Sequence, residues 1–213
     1  MKLLKLPRTS LWNLAEMDRD YKRARLPFKV EAVIDIGAHA GIFALWVLGE
    51  YPSARLECYE PHPQLAALCR ENLEGLATTV HEKAVIGLED HACIGPDGRA
   101  PLHEGRRTLL GTSLHQLGWQ KEEVAARVEW VPAAELPPCD MLKVDTDGSD
   151  IGILRDYTHG RSVSALLCEV HRRSEFEPLM QLAWGWGLEM TRCHAGRNGC
   201  VTSVWVRPLV ESK

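Results

Sequence analysis

The sequence predicts an α/β fold, a doubly wound and mainly parallel β-sheet covered by helices on both faces, with a helix ahead of it. Three observations lead there. Apolar or alternating runs of strand length recur between helical stretches of about ten residues, the pattern of successive βαβ units. The first run ends in the glycine-broken turn Gly37-Ala38-His39-Ala40-Gly41, from which a helix starts. Two late alternating runs flank a Gly/Asn turn and suit a closing hairpin.

Taken in order, Ser10 can cap a helix to about Arg25, with Leu11, Leu14, Met17 and Tyr21 at helical spacing, and Pro27 ends it. Glu31 to Ile36 reads as a strand and Gly41 to Glu50 as a helix. Ala54 to Tyr59 (ARLECY) alternates, Pro63 to Leu73 is helical with proline at its start, and Thr78 to Ile86 alternates again. Residues 88–130, rich in Gly, Asp and His, read as a hairpin or loop excursion. Beyond it lie a strand at 139–145 (CDMLKVD), a short helix at 149–157, a strand at 164–171 (SALLCEVH) and a helix at 174–187. Leu188–Cys193 and Cys200–Val206 form the late hairpin. One domain over 1–213 is expected, with 1–29 a helical extension and 88–130 a variable excursion.

With 45% hydrophobic and 25% charged residues, the 213-residue chain has the composition of an ordinary globular domain. Its net charge of −4 gives no basic excess to recommend nucleic acid as a partner. The apolar run at the N-terminus is too short for a signal peptide, and nothing approaches the roughly 18 apolar residues of a membrane span. Seven cysteines, at 58, 69, 93, 139, 168, 193 and 200, are scattered without a CxxC pair. They read as reduced thiols in a cytoplasmic protein, several of them buried, and not as a disulfide frame or a zinc site.

Sheets of this kind bind ligands outside the carboxyl ends of their strands. The first strand delivers Asp35 there, and the turn after it can expose backbone to a ligand and offers the free N–H groups of a helix start. Its GxxxG spacing matches neither the GxGxxG of dinucleotide binders nor a phosphate loop with its lysine. A tight turn with no ligand is the plainer reading. Glu60 adds to it. It ends the second strand about twenty residues after the loop, where an acid can accept hydrogen bonds from both hydroxyls of a ribose. Pro61 and Pro63 fix the turn that follows. A solvated strand-end charge is the plainer reading of Glu60 alone; loop and acid together point to a nucleoside cofactor.

VIDIGAHAGIFALW, YEPHP, VHEKAVIG and LKVDTDGSDIGILRD resemble, in order, the motifs of class I S-adenosylmethionine-dependent methyltransferases. Within that class they are most similar to the FkbM-type enzymes, which are usually O-methyltransferases. The resemblance runs from about Val30 to His171. It implies a Rossmann-like, seven-stranded sheet with the last strand antiparallel. It also implies S-adenosylmethionine as cofactor, its methionine part on Gly37, Ala38, His39 and Gly41. The ribose falls on Glu60, the adenine near Pro61, Lys83 and Ala84, and Asp145 lies beside the amino group and sulfonium. FkbM-type sequences commonly read D-x-E-G where this chain has Asp145-Thr146-Asp147-Gly148, which shortens the reach of the second acid.

For the chemistry, the sequence offers Asp145 and Asp147 after one strand and Glu169 and His171 at the end of the next. The last two are two apart on a strand and share a face. His171, with an ordinary pKa of about 6.5, is the candidate general base, and Glu169 its orienter or a group that binds the acceptor. A second reading makes Asp145, Asp147, Glu169 and His171 a Mg2+ site. Trp184 and Trp186 read as core residues at a helix end more readily than as an acceptor platform, and Thr112, Ser113 and His115 lie where acceptor pockets are often built. The expected activity is transfer of a methyl group to a hydroxyl of a small or sugar-like acceptor. The rivals are an NAD-linked oxidoreductase and a non-catalytic domain of the same fold, and a homo-oligomer is left open.

Overall fold

A computed structural model of the chain describes residues 26, 28–102, 126–146, 148–195 and 200–209. The expected helix at 10–25, Asp147, Thr112, Ser113 and His115 lie outside them. The elements run β1 Ala32–Ile36, α1 Ile42–Glu50, β2 Arg55–Tyr59, α2 Pro63–Asn72, β3 Thr78–His81, β4 Ala84–Ile86, β5 Ala100–Leu102, β6 Ala126–Val128, β7 Trp130–Pro132, β8 Met141–Val144, α3 Asp150–Asp156, β9 Ala165–Val170, α4 Arg173–Gly185, β10 Glu189–Ala195 and β11 Val201–Val206.

Seven strands make the main sheet, in the order β10-β11-β9-β8-β1-β2-β3. From β3 to β9 all neighbours are parallel, while β11 runs antiparallel to both β9 and β10. The predicted sheet and its late hairpin are both present. The chain leaves β1 outward through β2 and β3 and returns to β8 on the other side of β1. That reversal opens a crevice at the carboxyl ends of β1 and β8, where open α/β sheets bind ligands.

The core lies on both faces of the sheet, and strand alternation decides which residue goes where. Ile34, Ile36, Leu142, Val144, Leu166 and Val170 face α3 and α4, meeting Ile153, Leu154, Leu179 and Ala183. Val33, Met141, Ala165 and Leu167 face the other way, onto Phe43, Ala44 and Val47 of α1. Two-sided burial explains why β8 and β9 are largely apolar instead of alternating. α2 begins where the sequence places it, with Pro63 in its first turn and His62 Nδ1 accepting the Leu65 N–H at 3.3 Å.

Two expectations change. The alternating run Thr78–Ile86 is not a single strand: after His81 the chain leaves the sheet, and β4 pairs in parallel with β7. The half-exposed β3 suits the sheet edge, whereas Ala84, Val85 and Ile86 are all buried and must turn inward. In the excursion, a 3-10 turn at Leu88–Cys93 is followed by the antiparallel pair β5–β6. Trp184 is the second change. It is 59% exposed and meets Trp205 edge-on, with 6.4 Å between ring centroids, whereas Trp186 packs on the core. Positions i and i+2 of a helix face different ways, so both indoles cannot be core.

Trp205 is fully buried and its indole N–H donates to Ser203 Oγ at 2.9 Å. Trp205→Ala is expected to cost about 3–5 kcal/mol in urea unfolding. Trp184→Ala is expected to cost no more than about 1 kcal/mol.

Candidate active site

The parallel register of β1 and β8 sets Asp35 opposite Lys143, on the same face of the sheet. Lys143 Nζ stands 3.1 Å from Asp35 Oδ1 and 3.6 Å from Asp145 Oδ2, and donates to the Gly37 carbonyl at 2.9 Å. Burial alone would lower the lysine's pKa; Asp35 and then Asp145 outweigh it and hold the pKa above its ordinary value. Lys143 is therefore an ammonium ion. Two carboxylates around one ammonium leave a surplus negative charge. Asp145 presents it, with 37% of its side chain exposed against none of Asp35's. Sequence reading missed Lys143, although a lysine inside the apolar run Met141–Val144 was the signal.

The glycines of the loop have a different first duty from the one expected. Gly37 has φ +79°, and a Cβ there would sit 1.8 Å from the Asp145 carbonyl oxygen. At Gly41 (φ +81°) a Cβ would meet Leu73 and Cys69 Sγ at 3.1 Å. The close approach these glycines permit is that of the protein's own β8 end and α2. His39, between them, also has a positive φ, of 50°. The N–H groups of Gly37 and Ala38 both donate to the Tyr59 carbonyl, at 3.0 and 3.1 Å, tying the loop to β2.

Glu60 completes that tie. It is 6% exposed, so it is not a solvated strand-end charge. Its Oε2 accepts the His39 N–H at 2.8 Å and its Oε1 the His62 N–H at 2.9 Å. Each oxygen keeps further acceptor capacity for a ribose hydroxyl. Burial pushes the carboxyl up to about 7, against the opposing pull of the two backbone N–H groups. Pro61 follows in the same turn. Lys83 and Ala84 lie just past β3: Lys83 Nζ is 3.7 Å from Glu129 Oε2, and Ala84 is buried in β4.

At the end of β9, His171 stands between two carboxylates. Its Nε2 is 3.6 Å from Glu169 Oε1 and its Nδ1 3.7 Å from Asp150 Oδ2. Asp150, in the first turn of α3 and 1% exposed, accepts the Thr146 N–H and hydroxyl through Oδ1 at 2.7 and 2.9 Å. Sequence reading missed it too. Among the described residues, the donor atoms that converge within 4.8 Å are those of Glu169, His171 and Cys200. Asp145 is not among them, so the expected Mg2+ set is not assembled there, and a thiol is a poor partner for that ion.

No protein-family model matches the sequence. Methyltransferase sdnD of Sordaria araneosa is 26% identical, over 84% of this chain and 81% of its own. Among solved structures, the methyltransferase FkbM of Methylobacillus flagellatus superposes with a TM-score of 0.56 at 14% identity. It covers 94% of this chain, which spans 48% of it. The ribosomal protein L11 methylase of Lactobacillus delbrueckii subsp. bulgaricus gives 0.52 at 8% identity, covering 96% and 81%. The precorrin-6y C5,15-methyltransferase of Geobacter metallireducens gives 0.50 at 13%, covering 86% and 84%. The fold is that of the class I methyltransferases. Together with the curated relative, these likenesses support a methyltransferase; the tie to the FkbM type is one of fold. No helix among the described residues is long and apolar enough to cross a membrane.

Lys143→Met leaves Asp35 buried without its cation and is expected to cost about 3–5 kcal/mol in urea unfolding. Adding Asp35→Asn should recover part of that loss, a coupling read by the double-mutant cycle.

Glu60 generates a pH dependence. Its folded pKa of about 7 lies above the ordinary 4.5, so the native state holds a proton that the unfolded chain releases. Its contribution to stability is full below about 4.5 and falls as pH rises through 7, by at most about 3 kcal/mol. Chemical unfolding followed from pH 5 to 8 should show this slope in wild type and lose it in Glu60→Gln.

Proposed function

We propose that this protein is an S-adenosylmethionine-dependent methyltransferase acting on a hydroxyl of a small-molecule or sugar-like acceptor. The observation that carries the reading is Glu60: a buried acid at the end of β2 that holds the glycine loop by its His39 N–H, beside the crevice between β1 and β8. The curated relative's designation as a methyltransferase and the sequence likeness to FkbM-type enzymes point the same way.

When bound, S-adenosylmethionine supplies an electrophilic methyl group on a sulfonium. Glu60 holds the ribose hydroxyls with the acceptor capacity its two backbone donors leave. Asp145 would attract the ammonium group and the sulfonium, because the surplus charge of the Asp35–Lys143–Asp145 group reaches solvent through it. The loop over 37–41 lines the methionine part, and Pro61, Lys83 and Ala84 border the adenine. At the neighbouring strand end, His171 would accept the proton of the acceptor hydroxyl, the cofactor supplying the methyl group. Glu169 binds or orients at His171 Nε2, and Asp150 faces Nδ1, which sets the tautomer. The buried free thiols Cys58, Cys69, Cys139 and Cys168 support a reducing compartment such as the cytoplasm.

Calorimetric titration of the purified protein is expected to show binding of S-adenosylmethionine and S-adenosylhomocysteine but not NAD. Glu60→Ala should weaken both adenosyl ligands by tenfold or more, as befits the loss of a charged acceptor worth about 1.5–3 kcal/mol. No binding of either adenosyl ligand removes the proposal. With an acceptor in hand, His171→Asn should lower kcat by about 100-fold or more while cofactor affinity stays unchanged.

A further inference from the structure

The cysteines follow no metal-binding spacing along the chain, yet the sheet supplies one across strands. Antiparallel pairing of β9 with β11 sets Glu169 opposite Thr202 and Val170 opposite Val201. One step further along the same register, His171 meets Cys200. Alternation then turns Glu169, Thr202, His171 and Cys200 to one face. The side chains agree: a carboxylate oxygen of Glu169, a ring nitrogen of His171 and Cys200 Sγ lie within 4.8 Å of one another, and all three residues are half-buried.

We propose that Glu169, His171 and Cys200 form a three-ligand site for Zn2+ or a similar borderline divalent cation, with a fourth position open. The donor set decides the class of ion. One thiolate, one imidazole and one carboxylate suit zinc and its neighbours, whereas magnesium and calcium want oxygen alone. The spacing is close to what such an ion imposes. Bonds of about 2.0–2.3 Å in a tetrahedron hold donors roughly 3.3–3.7 Å apart, and Glu169 Oε1 and His171 Nε2 already stand 3.6 Å apart.

The outer partners of a metal site are also in place. Thr202 Oγ1 donates to Glu169 Oε2 at 3.1 Å, which leaves Oε1 turned to the imidazole. Asp150 Oδ2 lies 3.7 Å from His171 Nδ1, is buried, and accepts no hydrogen bond among the described residues. A carboxylate behind a ligating histidine fixes its tautomer and makes Nε2 the better ligand. The ion site stands on β9, β11 and α3 and needs no cofactor, so it goes beyond the methyltransferase reading. With the ion bound, Nε2 would be a ligand and the open position would offer a Lewis acid to an acceptor hydroxyl in place of the imidazole base.

Metal-free, reduced protein titrated with Co2+ tests the site by absorption. The expected result is one equivalent bound with a thiolate-to-cobalt charge-transfer band in the near ultraviolet, displaced by Zn2+. Cys200→Ser should abolish that band, His171→Asn and Glu169→Gln should weaken binding at least tenfold, and Asp150→Asn by about 10–100-fold. Cys193→Ser, on exposed β10, should change nothing. A wild-type protein without the band, or a band that survives Cys200→Ser, overturns the proposal. Should Cys200→Ser not fold, the wild type decides. Zn2+ must slow alkylation of Cys200 but not of Cys193, read by peptide mass spectrometry, and equal rates overturn the site. Neither readout depends on S-adenosylmethionine, so a failure here is separate from a failure of cofactor binding.

Discussion

The ammonium of Lys143 is the point on which the crevice depends. Placing a lysine in a strand buried on both faces costs several kcal/mol unless oxygens surround the charge. Here Asp35, Asp145 and the Gly37 carbonyl do so, one contributed by β1, one from just beyond β1 and one from just beyond β8. The cross-strand pair of Asp35 and Lys143 is a consequence of register, and it locks that register in return, since a slip of one residue would move the lysine to the opposite face. The backbone follows. Asp145 N–H donates to the Ile36 carbonyl at 3.1 Å, and the missing Cβ of Gly37 leaves room for the Asp145 carbonyl. The place where the strand order reverses is thereby made rigid at the two strand ends that line it.

From that fixed point the crevice divides by charge and by chemistry. Toward β2, Glu60 binds two loops together through backbone N–H groups, so this buried acid is a structural clasp. Its burial makes it a weaker acid than an exposed glutamate, and a charge held ready in that position has a stability cost that ligand contacts can offset. Toward β9, His171 is flanked on both ring nitrogens by carboxylates from two different elements. An imidazole so placed has its orientation set from both sides. The glycine loop joins the two halves, tied to β2 by the Gly37 and Ala38 N–H groups.

The sheet was legible because its evidence is periodic. Alternation along Ala54–Tyr59, the largely apolar runs at β8 and β9, and Pro63 at a helix start are local signals, and local signals survive folding. Glu60 was legible by position, as an acid at a strand end a fixed distance past a glycine turn. What could not be read was non-local. The atom that fills the Cβ position of Gly37 belongs to Asp145, far along the chain, an approach that no local pattern announces. Lys143 carries no local sign of its partner, because only the register supplies Asp35. The break between β3 and β4 was hidden because alternation continues through it, and only the complete burial of Ala84–Ile86 sends them inward.

Cys200 shows the same limit in its sharpest form. Counted along the chain, it is one of several isolated thiols, and the reading that follows is an inert reduced cysteine. Counted across the sheet, it is the residue opposite His171, because β11 returns antiparallel between β9 and β10. A parallel strand in that place would bring a different residue to the histidine, so the antiparallel course of β11 in the main sheet is what gives this corner a sulfur. The strand ends tied through Lys143 and Glu60 are held by contacts that this corner does not share. The donor atoms gathered at Glu169, His171 and Cys200 are what the antiparallel return of β11 brings together.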